Sequence, residues 1–463
     1  MTVESTRVEW LREADPAPGR HVLYWMGGTQ REALNPALEF AVERANRHGV
    51  PLLVVFGLMD DYPEANLRHV RFMLQGLAET ATAIRARGIG FALRRGYAAD
   101  IATAAARDAV EVVCDRGYLR HHRAWRHQFA EQCNAPFAVV ETEAVVPLRV
   151  ASTKAEYAAR TIRPRIHRHL ADYLRPLAPV AIDQPWIGEP PESESLDDID
   201  ALLERMSLDR TVGAVDPFFI GGYSQARRRL EAFLAGPIDA YADRRSHPAE
   251  DVTTALSPYL HFGQISAIEL ALAVQARRNT HETNREDFIE ELIVRRQLAQ
   301  NFCEFIDDYD AYACLPEWAR KTLDEHRDDP REHLYSEAEL AEAKTHDRFW
   351  NAAMNEMRIT GFMHNYMRMY WGKKIIEWSA TPEEAHRVTL ALNNRYFLDG
   401  RDPNSYASVN WLYGLHDRAW TERPVFGKIR YMNANGLKRK FDMDGYLDKV
   451  ARLRRRAREA GLS

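Results

Sequence analysis

HVLYWMGGTQREALNPALEFAVERANRHGVPLLVVFGL, residues 21–58, sets the architecture of the first third of the chain. Its ends, HVLYWM (21–26) and PLLVVFGL (51–58), are short apolar runs without polar alternation. That is the pattern of strands buried on both faces. Between them, 36–48 carries apolar residues at helical spacing. IGFALRRG (89–96), AVEVVCD (109–115) and PFAVVET (136–142) continue the strands, and 65–87, 99–108 and 119–132 continue the helices. The expectation is an N-terminal five-stranded parallel, Rossmann-like α/β domain. Such a sheet binds ligands beyond the carboxyl ends of its strands. The first strand, however, runs into Met26-Gly27-Gly28-Thr29 with no G-x-G-x-x-G, which argues against a nicotinamide dinucleotide.

Outward from this domain the character changes. Residues 179–212 are rich in Pro, Glu, Asp and Ser and read as a connection wrapping a surface. From Gly213 onward no strand run stands out, and helical periodicity fills 223–243, 265–277, 286–306, 336–343, 346–359, 362–378 and 381–394. The expected organisation is an α/β domain (1–178), a linker (179–212) and an all-helical domain (213–463).

A chain of 463 residues that is 46% apolar and 28% charged is neither disordered nor short of core. Its formal net charge of −5 argues weakly against a nucleic-acid partner. From Leu415 to Ser463, though, 13 Lys and Arg face 6 Asp and Glu, a local +7 that suits phosphate contacts. Four scattered cysteines without C-x-x-C spacing argue against a zinc site, and no metal site is expected. The charged N-terminus lacks a signal-peptide core and no run of about 18 apolar residues occurs, so a cytoplasmic location without membrane contact is expected.

Three stretches carry unusual chemistry. In RFWNAAMNEMRITGFMHNYMRMYWGKKIIEW (348–378), Trp371 and Trp378 lie two helical turns apart on one face, and Trp350 precedes a Thr360-Gly361 break that lets its helix fold back. Three indoles can simply fill a core, or they can pass electrons to a buried redox group. TTALSPYLHFGQIS (253–266) offers hydroxyls at a helix entry, an ordinary cap or a phosphate seat. Residues 398–441 are too rich in Gly, Asn, Asp and Pro for continuous helix, yet interleave Trp411, Trp420, Phe426 and Tyr431 with Arg and Lys. That mixture suits either a packed loop layer or stacking on bases while gripping phosphates.

Seven collinear segments resemble the class II cyclobutane pyrimidine dimer (CPD) photolyases of the photolyase/cryptochrome superfamily: STKAEYAARTIRP (152–164), LSPYLHFGQIS (256–266), FIEELIVRRQLAQNF (288–302), THDRFWNAA (345–353), MRMYWGKKIIEW (367–378), LDGRDPN (398–404) and RPVFGKIRYM (423–432). The resemblance implies a helical domain holding one folded FAD, active as FADH⁻, that splits pyrimidine dimers in DNA by light-driven electron transfer. It implies flavin contacts at Tyr241, Thr253, Thr254, Leu256, Ser257, Arg368, Asn393 and Asp399. The active-site carboxyl falls on Glu291, the lesion pocket includes Met369, and the photoreduction chain is Trp371, Trp350 and Trp378. Contacts to DNA fall on Arg245, Trp411, Arg418, Trp420 and Arg430. A deazaflavin-type antenna is compatible with the α/β domain, and a monomer without an obligate protein partner is expected. Residues 27–36 and Gln297, where an acidic residue is usual, depart from the family pattern. The alternatives within the superfamily are a cryptochrome photoreceptor without repair and a (6-4) photoproduct photolyase; the second would need a pocket histidine that the match does not supply.

Overall fold

The structure, a computed structural model, describes residues 3–190 and 192–461. Met1, Thr2, Pro191, Leu462 and Ser463, which fall within the expected α/β, linker and helical segments, lie outside the described residues. Six strands, β1 (Val8–Arg12), β2 (His21–Met26), β3 (Leu52–Leu58), β4 (Gly90–Arg95), β5 (Ala109–Asp115) and β6 (Phe137–Val140), form one sheet in the order β1-β6-β5-β2-β3-β4. β2 to β6 are parallel and β1 runs antiparallel to β6. The expected five-stranded parallel sheet is therefore corrected to a six-stranded mixed one. β1 (VEWLR) is only half-buried at every position, so an edge strand forms without the unbroken apolar run that marks the others.

Helices α1 (Pro36–His48), α2 (Leu67–Ala86), α3 (Ala98–Ala105) and α4 (Arg120–Gln132) provide the crossovers and cover the sheet. α1 starts where Asn35 accepts from the Leu38 N–H at 3.1 Å and Pro36 opens the first turn. The strand order reverses at β2, with β3 on one side and β5 on the other, which opens a crevice at the carboxyl edge. Residues 179–212 run past the β4 edge: Trp186 donates to the Gly88 carbonyl at 2.8 Å, Glu194 to that of Leu93 at 2.7 Å, and Leu202, Leu203 and Met206 enter the sheet's core. The acidic stretch thus also shields an otherwise open strand.

Beyond Gly213 the described residues contain helices but no strand, only an isolated bridge between Arg423 and Gly427. Within 398–441, helices Pro403–Leu412 and Ala434–Lys440 flank a long loop; Asp402 and Asn433 cap them, so the Asp and Asn content starts helices as well as interrupting them. A further helix, Ala159–Tyr173, was concealed in the sequence by Pro164 inside it.

Charged side chains seat the helical part on the α/β part. Arg31 and Arg296 both grip Glu143, at 2.7 and 3.0 Å, and Arg31 also donates to the Gly263 carbonyl at 3.0 Å. Residues 27–36, the stretch that departs from the family pattern, form this junction. Arg68 of α2 has no carboxylate partner among the described residues. Its guanidinium donates to the carbonyls of Gly213 (3.0 Å), Met357 (3.2 Å), Tyr396 (2.6 Å) and Arg358, so it satisfies the last turns of helices Arg348–Thr360 and Pro382–Tyr396.

Replacing Arg68 with Met keeps much of the bulk but leaves buried carbonyls without donors. The expected loss is about 3 kcal/mol or more, read as a lower midpoint in chemical denaturation; an unchanged midpoint would show that Arg68 does not hold the junction.

Candidate active site

Glu291 sits on a local change of helical pitch. Helix Glu282–Ile289 passes through a π-helical turn, Glu290–Arg295, into helix Arg296–Phe305. Such turns widen the backbone spiral and commonly re-aim a side chain at a functional site. Arg245 reaches Glu291 at 3.0 Å and Asp287 at 3.7 Å, and its guanidinium lies 5.7 Å from the centre of the Tyr241 ring. Tyr241 itself is buried edge-on against Phe233 and Phe288, and burial pushes its phenol well above the ordinary range. The structure thus gathers Tyr241, Arg245 and Glu291 into one cluster.

A second cluster lies on helix Asn365–Trp378 and the loop after Phe397. Arg368 donates from one nitrogen to both carboxylate oxygens of Asp399, at 2.9 and 3.1 Å, and stacks 3.6 Å over Phe397. Met369, the next residue, is half-buried, and Asn393 is buried with its amide donating to Asn394 at 3.0 Å. In the segment 253–257, Ala255 takes a left-handed φ of 50°, and the Thr254 hydroxyl accepts from the Leu256 N–H at 3.3 Å. Leu256 is buried at the start of helix Ser257–His261, which has no side-chain cap. The hydroxyls of Thr253 and Ser257 make no hydrogen bond within the protein among the described residues. Capping falls instead to Ser266, which accepts from the Ile268 N–H at 3.2 Å and starts the following helix.

The three indoles are brought together. Trp350 and Trp371 stack with ring centres 6.5 Å apart and planes 13° from parallel, and Trp350 meets Trp378 edge-on at 5.6 Å. Trp350 donates to the Trp371 carbonyl at 2.9 Å, while the buried Trp371 Nε1 has no partner among the described residues. Beyond Trp378 come Tyr335 at 5.4 Å and His346 at 5.2 Å, joined by a 2.7 Å Tyr335 Oη–His346 Nδ1 hydrogen bond. Sequence reasoning missed these two: His346 heads a span read as helix, Tyr335 stands just before another, and only tertiary packing of what are irregular stretches brings both to Trp378.

The basic aromatic loop also forms one surface. Arg430 lies 4.1 Å from the ring centre of Trp420 and 5.2 Å from that of Trp411; Arg418 covers Trp420 at 5.0 Å. Asp417 orders them, accepting from Arg430 at 3.2 Å and from the Trp420 indole at 3.3 Å. Trp420 is one of the few exposed large apolar side chains, at 36%. Beneath Trp411, Lys373 is fully buried and donates to the Leu412 carbonyl; burial pulls its pKa down to about 7.

A DNA photolyase family profile matches residues 22–183. A deoxyribodipyrimidine photo-lyase from Methanothermobacter thermautotrophicus is 43% identical over 97% of this chain and 98% of its own length. This chain belongs to the DNA photolyase family. The photolyase-family assignment is reinforced by proteins of the same name from Arabidopsis thaliana, 40% identical over 93% of this chain and 89% of theirs, and Potorous tridactylus, 39% identical over 93% and 81%. It makes the chain an enzyme of light-driven DNA repair. The fold agrees with the crystal structure of a bacterial class III photolyase from Agrobacterium tumefaciens (TM-score 0.73, 18% identity, 95% of this chain and 87% of that one). It also agrees with the Synechocystis cryptochrome structure (0.70, 15%, 94% and 89%).

In this photolyase-family chain the crevice at β2 holds a cavity of about 170 Å³, between Trp25, Tyr62, His122 and Trp125 on one side and His261 and Arg401 on the other. His121 and His122, read as surface or packing residues, meet here: both share the Tyr62 hydroxyl, at 3.0 and 2.9 Å. The N–H groups of Gly27, Gly28 and Thr29 all point at the Asp115 carboxylate, at 2.7, 2.7 and 3.0 Å. Gln297 exchanges two hydrogen bonds with the Val146 backbone, accepting at 3.1 Å and donating at 2.8 Å, a pairing that an ionised carboxylate could not complete.

Lys373 gives a pH test. Its pKa is about 7 in the folded protein and about 10.4 unfolded, so between these values the unfolded chain binds the extra proton and folding stability rises with pH. Denaturation at pH 7 and pH 9.5 is expected to show that rise diminished in Lys373→Met relative to wild type; identical pH dependence would mean the ammonium is not desolvated.

Proposed function

We propose that this chain is a class II CPD photolyase that binds one FAD and repairs pyrimidine dimers in DNA. The observation that carries this reading is the Tyr241–Arg245–Glu291 cluster, with Glu291 on a π-helical turn, in a chain that also presents a basic aromatic surface. FAD, held in its reduced form, would supply the light-driven one-electron chemistry that opens the cyclobutane ring without net redox change.

The residues fit such a group. Arg368 and Asp399 offer a fixed charge pair to the isoalloxazine, the buried Asn393 a polar contact beside it, and Trp371 a free indole N–H. Tyr241, Thr253, Thr254, Leu256 and Ser257 would hold the phosphate and ribitol portion; among the described residues the Thr253 and Ser257 hydroxyls have no protein partner, while the Thr254 hydroxyl accepts from the Leu256 N–H. Trp378, Trp350 and Trp371 relay electrons inward when the cofactor arrives oxidised.

For the lesion, Glu291 and Arg245 present an acceptor and a fork of donors to one substrate edge, where preorganised hydrogen bonds stabilise negative charge as it develops. Met369 lines the apolar side. A dimer is poorly stacked and paired, so extruding it costs less than flipping normal bases. Trp411 and Trp420 offer faces for the gap or the flipped dimer, and Arg418 and Arg430 grip phosphates without reading sequence. The carboxyl-edge cavity, with its aromatic walls, suits an antenna chromophore of deazaflavin type; the three loop N–H groups that could hold a phosphate there already serve Asp115.

Reduced, FAD-loaded protein under near-UV or blue light is expected to clear CPDs from DNA and leave (6-4) photoproducts intact. Persistent CPDs would overturn the proposal, and loss of (6-4) products instead would move it to the other photolyase class. Glu291→Ala is expected to lower repair yield more than DNA affinity; an unchanged yield would remove Glu291 from the catalytic set.

A further inference from the structure

The outer end of the indole series opens on a second, larger cavity. It measures about 630 Å³, within the range of small-molecule sites. Its walls come from 330–333, the start of helix Arg348–Thr360, the last turn of helix Asn365–Trp378, the loop residues 423–426, 431 and 433, and the first turns of helix Ala434–Lys440. Trp378 lines it although only 2% exposed, so a molecule in the cavity meets an indole that bulk solvent barely reaches. His346 and His333, stacked at 3.8 Å, form the adjoining wall.

The charges around the cavity do not cancel. Five cations (Arg331, Arg348, Lys374, Arg423 and Lys438) line it with three carboxylates (Glu332, Asp347 and Glu377). Lys374 pairs with Glu377 at 2.5 Å, Arg348 reaches out to Asp444 at 3.0 Å, and Arg331 donates to the carbonyls of Arg327 and Asp329. Asp347 is committed to the N–H groups of Phe349 and Trp350 and to the Tyr370 hydroxyl. Glu332 is 91% exposed. That leaves Arg423 and Lys438 without a carboxylate among the described residues, held instead over aromatic rings, Arg423 at 5.1 Å from Tyr431 and Lys438 at 5.6 Å from Phe349. Two uncommitted cations beside a sheltered indole form a receptor for an anion.

We propose that this cavity binds a small anionic one-electron reductant, of the enediolate (ascorbate) or reduced nicotinamide dinucleotide class, which refills Trp378. The proposal rests on the reading of Trp371, Trp350 and Trp378 as an inward electron relay. Each electron sent inward leaves the outermost indole one electron short, and the hole recombines unless it is filled first. Tunnelling falls off exponentially with distance, so a donor seated against Trp378 refills it faster than one that must first collide from free solution. In the step, one electron passes from the bound anion to the Trp378 radical cation. The indole returns to its closed shell, and the reductant leaves as its one-electron-oxidised radical; where that radical is acidic, as with ascorbate, its proton goes to solvent.

The test pairs binding in the dark with kinetics in the light, comparing wild type with R423E/K438E, two exposed positions whose reversal leaves the core intact. In the dark, ascorbate and NADH are titrated separately against the protein by ligand-observed NMR, which identifies which of the two anions the site takes. At least one is expected to bind saturably, at least tenfold more weakly in the variant. After a flash on the FAD-loaded oxidised protein, decay of the tryptophan radical is expected to accelerate hyperbolically with that anion, and at least fivefold less in the variant. Dithiothreitol at pH 7, an uncharged donor, should act alike on both proteins. No saturable binding of either anion, or equal acceleration in both proteins, overturns the proposal. If binding is seen but Trp378→Phe photoreduces like wild type, the relay reading is what has failed, and the electron-donating role of the site falls with it.

Discussion

The close return of one helix on another at Gly361 is the constraint on which the rest of the helical domain depends. Gly361 ends helix Arg348–Thr360 in a left-handed conformation, φ 74°, and a Cβ there would stand 2.8 Å from Leu398 Cγ. Its carbonyl accepts from the Leu398 N–H at 2.9 Å, which fixes the start of the loop bearing Asp399. The reversal therefore does two things together. It slots Trp350 between Trp371 and Trp378, and it brings Asp399 to Arg368. Arg68, donating into the carbonyls just before the turn, ties the same point to the α/β domain.

Electrostatics are local throughout. A chain with a formal charge of −5 carries acidic residues along 179–212, where they cover the β4 edge, and basic residues after Leu415, where they meet Trp411 and Trp420. The whole-chain sum averages two surfaces with different tasks. Buried charge follows a different rule: among the described residues Arg68 and Lys373 pair with no carboxylate and are held by backbone carbonyls, so each works as a brace between helices and not as half of an ion pair.

Much of this architecture could be read from periodicity. The apolar runs at 21–26, 51–58 and 109–115 became central strands because burial on both faces leaves an unambiguous pattern, while VEWLR at the edge leaves none. Helix Arg348–Thr360 and the break after it were legible because glycine is the residue that a left-handed terminus favours. The spacing of Trp371 and Trp378 placed them on one face, but their contact with Trp350 depends on a tertiary reversal that spacing cannot express. The π-helical turn beneath Glu291 left no mark in the pattern, since one residue added to a spiral barely shifts its period. Resemblance to a family supplied the candidate roles; the structure supplies the company each residue keeps.

The most direct measurement follows the electron hole through the indoles in Trp350→Phe, with FAD bound. With the middle ring removed, flash excitation of the oxidised protein is expected to produce no long-lived tryptophan radical, because a hole on Trp371 has no stacked neighbour to pass to. The same variant, reduced beforehand, is expected to repair dimers as wild type does, which also certifies its fold. A long-lived radical with wild-type yield would contradict the account, placing the relay somewhere other than the ladder that Gly361 assembles.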